Sequence, residues 1–146
     1  MDTDSFLIKL SESERTDFGR VDFEQQCPEQ RIFSAIWALE SQVNNGGFAQ
    51  YISSHNGDTA SAAPWALREI GALRCADIVT RALKTASPTG VMPASREGRE
   101  ALVDSLSSQA RKKLEALDNE FFSYPDNLTD LLYMYISKHP SVFGAV

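Results

Sequence analysis

The sequence predicts an all-α protein, a single irregular bundle of about seven helices. Apolar residues return at three- and four-residue spacings along most of the 146-residue chain, the period of a buried helix face. No convincing alternating run, hairpin turn or internal repeat interrupts that pattern. The length suits one domain, large enough to bury roughly two-thirds of its unfolded surface.

Residues 1–27 form an acidic leader with weak periodicity. Phe6, Leu7, Ile8 and Leu10 suit either a short helix or an extended arm, and Phe18, Val21 and Phe23 give a second apolar contact point. The leader is expected to be loosely structured, packed by a few anchors and with room for one helix. The helical domain, residues 28–146, opens at Pro28, a residue suited to a first helical position because its missing N–H has no partner there anyway. Ile32, Ile36, Leu39 and Val43 follow at steps of four, three and four, with Phe33 and Trp37 widening the stripe, so a core-facing helix runs from about 28 to 44. Asn45-Gly46-Gly47 ends it, since asparagine and glycine tolerate positive φ. Phe48, Tyr51 and Ile52 make a short second helix, and His55-Asn56-Gly57-Asp58 turns the chain.

Thr59 can cap a third helix that holds Trp65, Leu67 and Ile70 and breaks at Gly71. A fourth, about 73–86, carries Ala76, Val79, Leu83 and Ala86, small enough for close helix approach. Ser87 to Pro93, with two prolines and a glycine, is the clearest loop. Ser95 begins a helix with Leu102, Val103 and Leu106 on its apolar side; Ala110, Leu114, Leu117 and Phe121 mark the next. After a turn at Tyr124-Pro125-Asp126-Asn127, a last helix carries Leu128, Leu131, Leu132, Tyr135 and Ile136 until His139-Pro140 stops it.

Charge narrows the function. The net charge is −6, which opposes direct binding to nucleic acid or to anionic lipid. The acidity lies in two blocks. Residues 1–30 hold eight acids, Asp17, Asp22 and Glu24 among them, against Lys9, Arg15 and Arg20. Residues 115–130 hold Glu115, Asp118, Glu120, Asp126 and Asp130 with no base, although Arg111-Lys112-Lys113 adjoins them. No apolar run reaches the ~20 residues of a membrane span, and the acidic N-terminus lacks a signal-peptide pattern, so a cytoplasmic protein is expected. Cys27 and Cys75 are far apart and read as free thiols.

Catalytic chemistry is not legible. Two histidines exclude a histidine-rich zinc site, and the Asp126–Asp130 run lacks the alternating ligands and central glycine of a calcium loop; neither metal nor cofactor is expected. No serine sits in a G-x-S-x-G elbow, and Gly46-Gly47 has no following lysine or preceding strand for a phosphate loop. The densest uncharged polar group is Gln42, Asn44, Asn45 and Gln50 at the glycine corner. Its ordinary reading is a helix–helix corner, with asparagines capping backbone and Phe48 and Tyr51 packed inward. Its sharper reading is a small polar pocket of Asn44, Asn45, Gln50 and Tyr51 near Trp37, for a small ligand or a peptide.

The stretch Trp37-Ala38-Leu39-Glu40-Ser41-Gln42-Val43-Asn44-Asn45-Gly46-Gly47-Phe48-Ala49-Gln50-Tyr51 resembles the core motif W-x-L-E-x-E-V-N-N-G-G-F-x-Q-Y of a bacterial family of unknown function whose best-known member is a DNA mimic. Gly57-Asp58, Ala66 to Ala72 and Leu114 to Phe121 extend the likeness over roughly residues 30–140, with Gln42 standing where the motif has an acid. The resemblance implies an all-helical fold and a non-enzymatic role. In the best-known member, surface carboxylates imitate DNA phosphates and occupy the DNA-binding face of a transcription factor. Here the expected partner is a basic DNA-binding protein, met first by the 115–130 block, with Asp17, Asp22 and Glu24 adding to it. Such an array would be steered to a basic site at long range and weakened by salt. The competing expectation is a ligand- or peptide-binding helical module, or an enzyme, centred on the Asn-Asn-Gly-Gly corner. A third is a helical partner in a larger assembly, and both monomer and homodimer stay open.

Overall fold

The computed structural model describes residues 2–145. Helix takes up 73% of the chain, and no strand occurs among the described residues. In order the helices are α1 Thr3–Ser11, α2 Pro28–Ser53, α3 Ala63–Glu69, α4 Leu73–Ala86, α5 Arg96–Asp104, α6 Ser108–Phe122, α7 Leu128–Ser137 and α8 Pro140–Phe143, with 3-10 segments at Phe23–Gln25 and His55–Ala62.

The bundle is built around α2. From Ile32 to Ile36 every residue is buried, and Ala38, Leu39 and Val43 follow. A helix covered on nearly every side needs small residues among the large ones, and Ser34, Ala35 and Ala38 let neighbours approach closely. The 3-10 segment His55–Ala62, α3, α5 and α6 all pack on it, while α4 bridges α3 and α6. At the kink, Gly46 leaves helical geometry (φ −160°, ψ 16°) and Gly47 turns to φ 82°, ψ −175°. The corner therefore stands where the asparagine–glycine signal placed it, with Gly47 taking the positive φ.

Two local expectations are corrected. Thr59 does not cap α3, whose N-cap is Ala62 without a side-chain bond; Ser54 caps the preceding 3-10 segment, its Oγ accepting the Asn56 N–H at 3.2 Å, while the Thr59 hydroxyl donates to the Asn56 carbonyl at 2.8 Å. The residues 1–27 are more ordered than their weak periodicity suggests. α1 is a regular helix capped by Asp2, whose Oδ1 accepts the Ser5 N–H at 2.8 Å. It lays Leu7 and Leu10, each 2% exposed, into the core beside α7. Phe6 meets Tyr133 edge-on at 5.3 Å. Buried amides hold the following coil: Gln30 donates to the Arg15 carbonyl at 3.0 Å and accepts the Asp17 N–H at 2.9 Å, and Gln26 donates to the Val21 carbonyl at 2.9 Å. Hydrophobic period does not register polar anchors of this kind, so the segment looked looser in the sequence than it is.

Candidate functional site

Gly47 sits against α6 at the kink. A Cβ there would run into the Asp118 carboxylate, whose Oδ1 accepts the Phe48 N–H at 2.8 Å. Asp118 thus caps the second half of α2 from another helix. Its partial burial raises the pKa, opposed by the Phe48 hydrogen bond. Phe48 is fully buried edge-on to Phe121, ring centroids 5.9 Å apart. Tyr51 is buried too, its hydroxyl 2.6 Å from that of Thr59, and burial pushes the phenol well above its usual range.

The polar residues of the corner do not converge as the sharper reading expected. Gln50 donates to Gln42 Oε1 at 3.1 Å, so these two amides satisfy each other locally. Asn45 is exposed, and Tyr51 is closed off inside the core. Asn44 alone turns towards Trp37: both line a cleft of about 220 Å3, with Glu40 and Ser41 from α2, Asp4, Leu7 and Ile8 from α1, and Thr129 from α7. Trp37 is stacked on Phe33, centroids 5.5 Å apart and planes 12° from parallel. Asn44 donates to the Tyr124 hydroxyl at 2.7 Å, and that hydroxyl donates to Glu40 Oε2 at 3.3 Å. Burial lifts the Glu40 carboxyl to about 7, Asp4 adds to the rise and the Tyr124 hydrogen bond opposes it. Tyr124 holds its place at φ 47° between α6 and α7. Asp58 lies elsewhere, exposed beside a cleft of about 260 Å3 formed by the leader and the His55–Ala62 segment; partial desolvation raises its carboxyl and the Arg99 charge opposes the rise.

The 115–130 acids are mostly tied to their own fold. Asp118 caps the α2 corner, and Glu120 forms a two-pronged ion pair with Arg81 at 2.9 and 3.1 Å while Arg81 also holds Asp77. That pairing keeps the Glu120 carboxyl below its usual range. Asp126 Oδ2 accepts the Cys75 N–H at 2.8 Å, capping α4, whose own N-cap Ala72 has no side-chain acceptor. Asp130 exchanges hydrogen bonds with Asn127 at the start of α7. Glu115 alone has no hydrogen bond or ion pair among the described residues. The block expected to form one working array is therefore chiefly a set of caps and pairs.

The other acidic block is arranged differently. Glu12, Glu14, Asp22 and Glu24 are exposed, and Asp17 is half-buried. The arginines nearby turn to carbonyls instead of carboxylates: Arg20 donates to Glu12 and Ser13, Arg31 to Phe23 and Glu24, and Arg15 to Phe143 and Ala145. Among the described residues, none of these five acids is in an ion pair.

Arg99 was missed. It is 2% exposed and donates to the carbonyls of Ile52, Ser54, Pro93 and Ala94, closing the C-terminus of α2 with a cation where the helix dipole is negative. Its spacing of three, four and seven to Leu102, Val103 and Leu106 was the available signal, although α5 ends at Asp104 and Leu106 lies beyond it. Cys27 is exposed and Cys75 buried, both free, and burial pushes the Cys75 thiol up to about 11. Among the described residues no group of three or more His, Cys, Asp or Glu could hold a metal ion, and no helix is long and apolar enough to cross a membrane.

The fold and this surface define an all-α bundle whose central helix breaks at a glycine corner held by an acid from α6. A family model described as DMP19-like protein matches residues 24–139, and the chain belongs to that family. No curated protein and no solved structure matches. α1 and most of the acidic leader precede the matched region.

Proposed function

We propose that the protein is a non-enzymatic interaction protein that offers its acidic surface to a basic, DNA-binding partner in the manner of a DNA mimic. The working surface in this reading is the 12–24 edge, not the 115–130 block. One observation carries it: Glu12, Glu14, Asp22 and Glu24 are exposed and unpaired among the described residues, while neighbouring arginines are engaged by backbone carbonyls. Bonding to carbonyls leaves the arginine charges in place, but residues 12–24 hold five acids against Arg15 and Arg20, and this negative excess steers a basic protein towards the edge and makes the association fall with salt.

The test is capture from lysate by wild type and by an E12Q/E14Q/D22N/E24Q variant. Wild type should recover a basic DNA-binding protein that added salt or competing duplex DNA displaces, and the variant should recover much less of it. Equal recovery by the variant, or recovery of neutral partners alone, overturns the reading. A second reading, a ligand-binding helical module, is supported by the cleft that Trp37, Glu40 and Asn44 line.

A further inference from the structure

The cleft between α1, α2 and α7 has an unusual charge balance. Asp4 stands at its α1 side and Glu40 at its α2 side. No lysine, arginine or histidine lines it. Neither carboxylate is in an ion pair among the described residues. The hydrogen bonds they have come from hydroxyls: Thr129 to Asp4 Oδ1 at 3.2 Å and Tyr124 to Glu40 Oε2 at 3.3 Å. A half-buried carboxylate facing a second one is costly to ionise without a cation nearby. The rest of the wall sets Leu7, Ile8 and the Trp37 indole, fixed by its stack on Phe33, beside the neutral polar Ser41, Asn44 and Thr129.

Size limits the occupant. At about 220 Å3 the cleft lies below the ~300–1,000 Å3 that suits drug-sized ligands, so it admits one side chain or a small fragment. Two carboxylates, an indole, a hydroxyl from Ser41 and an amide from Asn44 suit a flat cation with several donors better than a compact, strongly hydrated ammonium. Guanidinium has that shape. Its plane can lie against an indole while its N–H groups reach carboxylates on either side.

We propose that this cleft is a guanidinium-binding site, taking either the arginine side chain of a partner or a free alkylguanidine between Asp4, Glu40 and Trp37. The proposal rests on the second reading above and is independent of the acidic edge. Occupancy follows pH. Asp4 of α1 and Tyr124 of the α6–α7 turn face Glu40, and the Cys75 thiol of α4 is coupled to it at longer range. The Glu40 carboxyl loses its proton near pH 7, so binding strengthens as pH rises from 6 to 8.

Titration of a Trp65→Phe background, where Trp37 is the one remaining indole, tests it by fluorescence. Butylguanidinium should perturb Trp37 saturably and more tightly at pH 8 than at pH 6, and butylurea, its neutral isostere, should not. E40Q and D4N should each weaken binding about tenfold, the worth of one charge-assisted contact. E40Q is close to isosteric, and D4N alters the rim and not the core, so a thermal melt on both variants checks that folding is intact. The E12Q/E14Q/D22N/E24Q variant should bind butylguanidinium as wild type does, which separates failure here from failure of the partner reading. An acetylated Gly-Arg-Gly amide that binds more tightly than butylguanidinium identifies a partner's arginine as the occupant; equal affinity identifies a free alkylguanidine. No saturable response, an equal response to butylurea, or unchanged binding in both E40Q and D4N overturns the proposal.

Discussion

At the scale of single residues, Glu40 shows how position changes a side chain's chemistry. Its carboxyl is lifted from an ordinary 4.5 to about 7, chiefly by burial. The folded protein therefore holds a proton that the unfolded chain releases at lower pH, and this favours folding at low pH. That stabilisation is complete below about 4.5, declines as pH rises towards 7 and is gone above it. It amounts to about 3 kcal/mol, since each tenfold gain in proton affinity is worth about 1.4 kcal/mol. In E40Q the amide stands in for the protonated acid. Urea midpoints compared from pH 4.5 to 8 should show wild type falling relative to E40Q across that window, with E40Q the more stable at pH 8. Parallel curves for the two proteins contradict this. From the sequence Glu40 was visible only as a motif position. Its environment depends on Asp4, 36 positions earlier, and Tyr124, 84 positions later, which no local pattern brings together. Arg99 was hidden for a related reason: its partners are carbonyls, and a carbonyl carries no sequence signature.

Among elements, the helices were readable and their ends only partly so. Apolar spacing located α4 at its observed bounds and gave the cores of α2, α6 and α7, because a buried helix face writes its period directly into the chain. Capping from a distance left no such trace. Asp118 and Asp126 read as members of the 115–130 acidic block, yet each accepts the N–H of a helix start on another element. The two α2 segments and the α3–α4 junction both turn on a glycine of nearly equal φ, 82° at Gly47 and 84° at Gly71. Their surroundings differ. A Cβ on Gly71 meets nothing within 4 Å, whereas on Gly47 it collides with the Asp118 carboxylate that caps Phe48. Gly71→Ala should cost about 1–2 kcal/mol, the strain of a left-handed alanine. Gly47→Ala adds loss of the cap, roughly 1 kcal/mol more, and its ψ of −175° puts it in a region closed to side chains, so about 3 kcal/mol or more is expected. Urea denaturation of the two variants measures the difference, and a Gly47→Ala protein no less stable than Gly71→Ala would show that Asp118 does not hold the corner.

For the whole molecule, the matched family region and the packed core do not coincide. The match begins at residue 24, but the core already includes Leu7 and Leu10. α1 also supplies Asp4, Leu7 and Ile8 to the cleft, and Arg15 ties the coil after it to carbonyls at the far end of the chain. Weak periodicity suggested a loosely structured leader, while the two leucines on one face of α1 make it a structural layer over α7. Each buried leucine contributes about 1.5–3 kcal/mol, set against the entropy of ordering the helix. Burial of Phe6 against Tyr133 and the Asp2 cap tip that balance towards order. A chain lacking residues 2–11 should thus still fold, with stability lowered by about 1–3 kcal/mol out of a typical 5–15. It should also unfold with a smaller denaturant slope, since less surface is left to expose. An unchanged midpoint and slope would mean that α1 is not part of the cooperative unit. In the same truncated chain Trp37 becomes more accessible as Leu7 and Ile8 depart, so its emission should shift to the red before any denaturant is added.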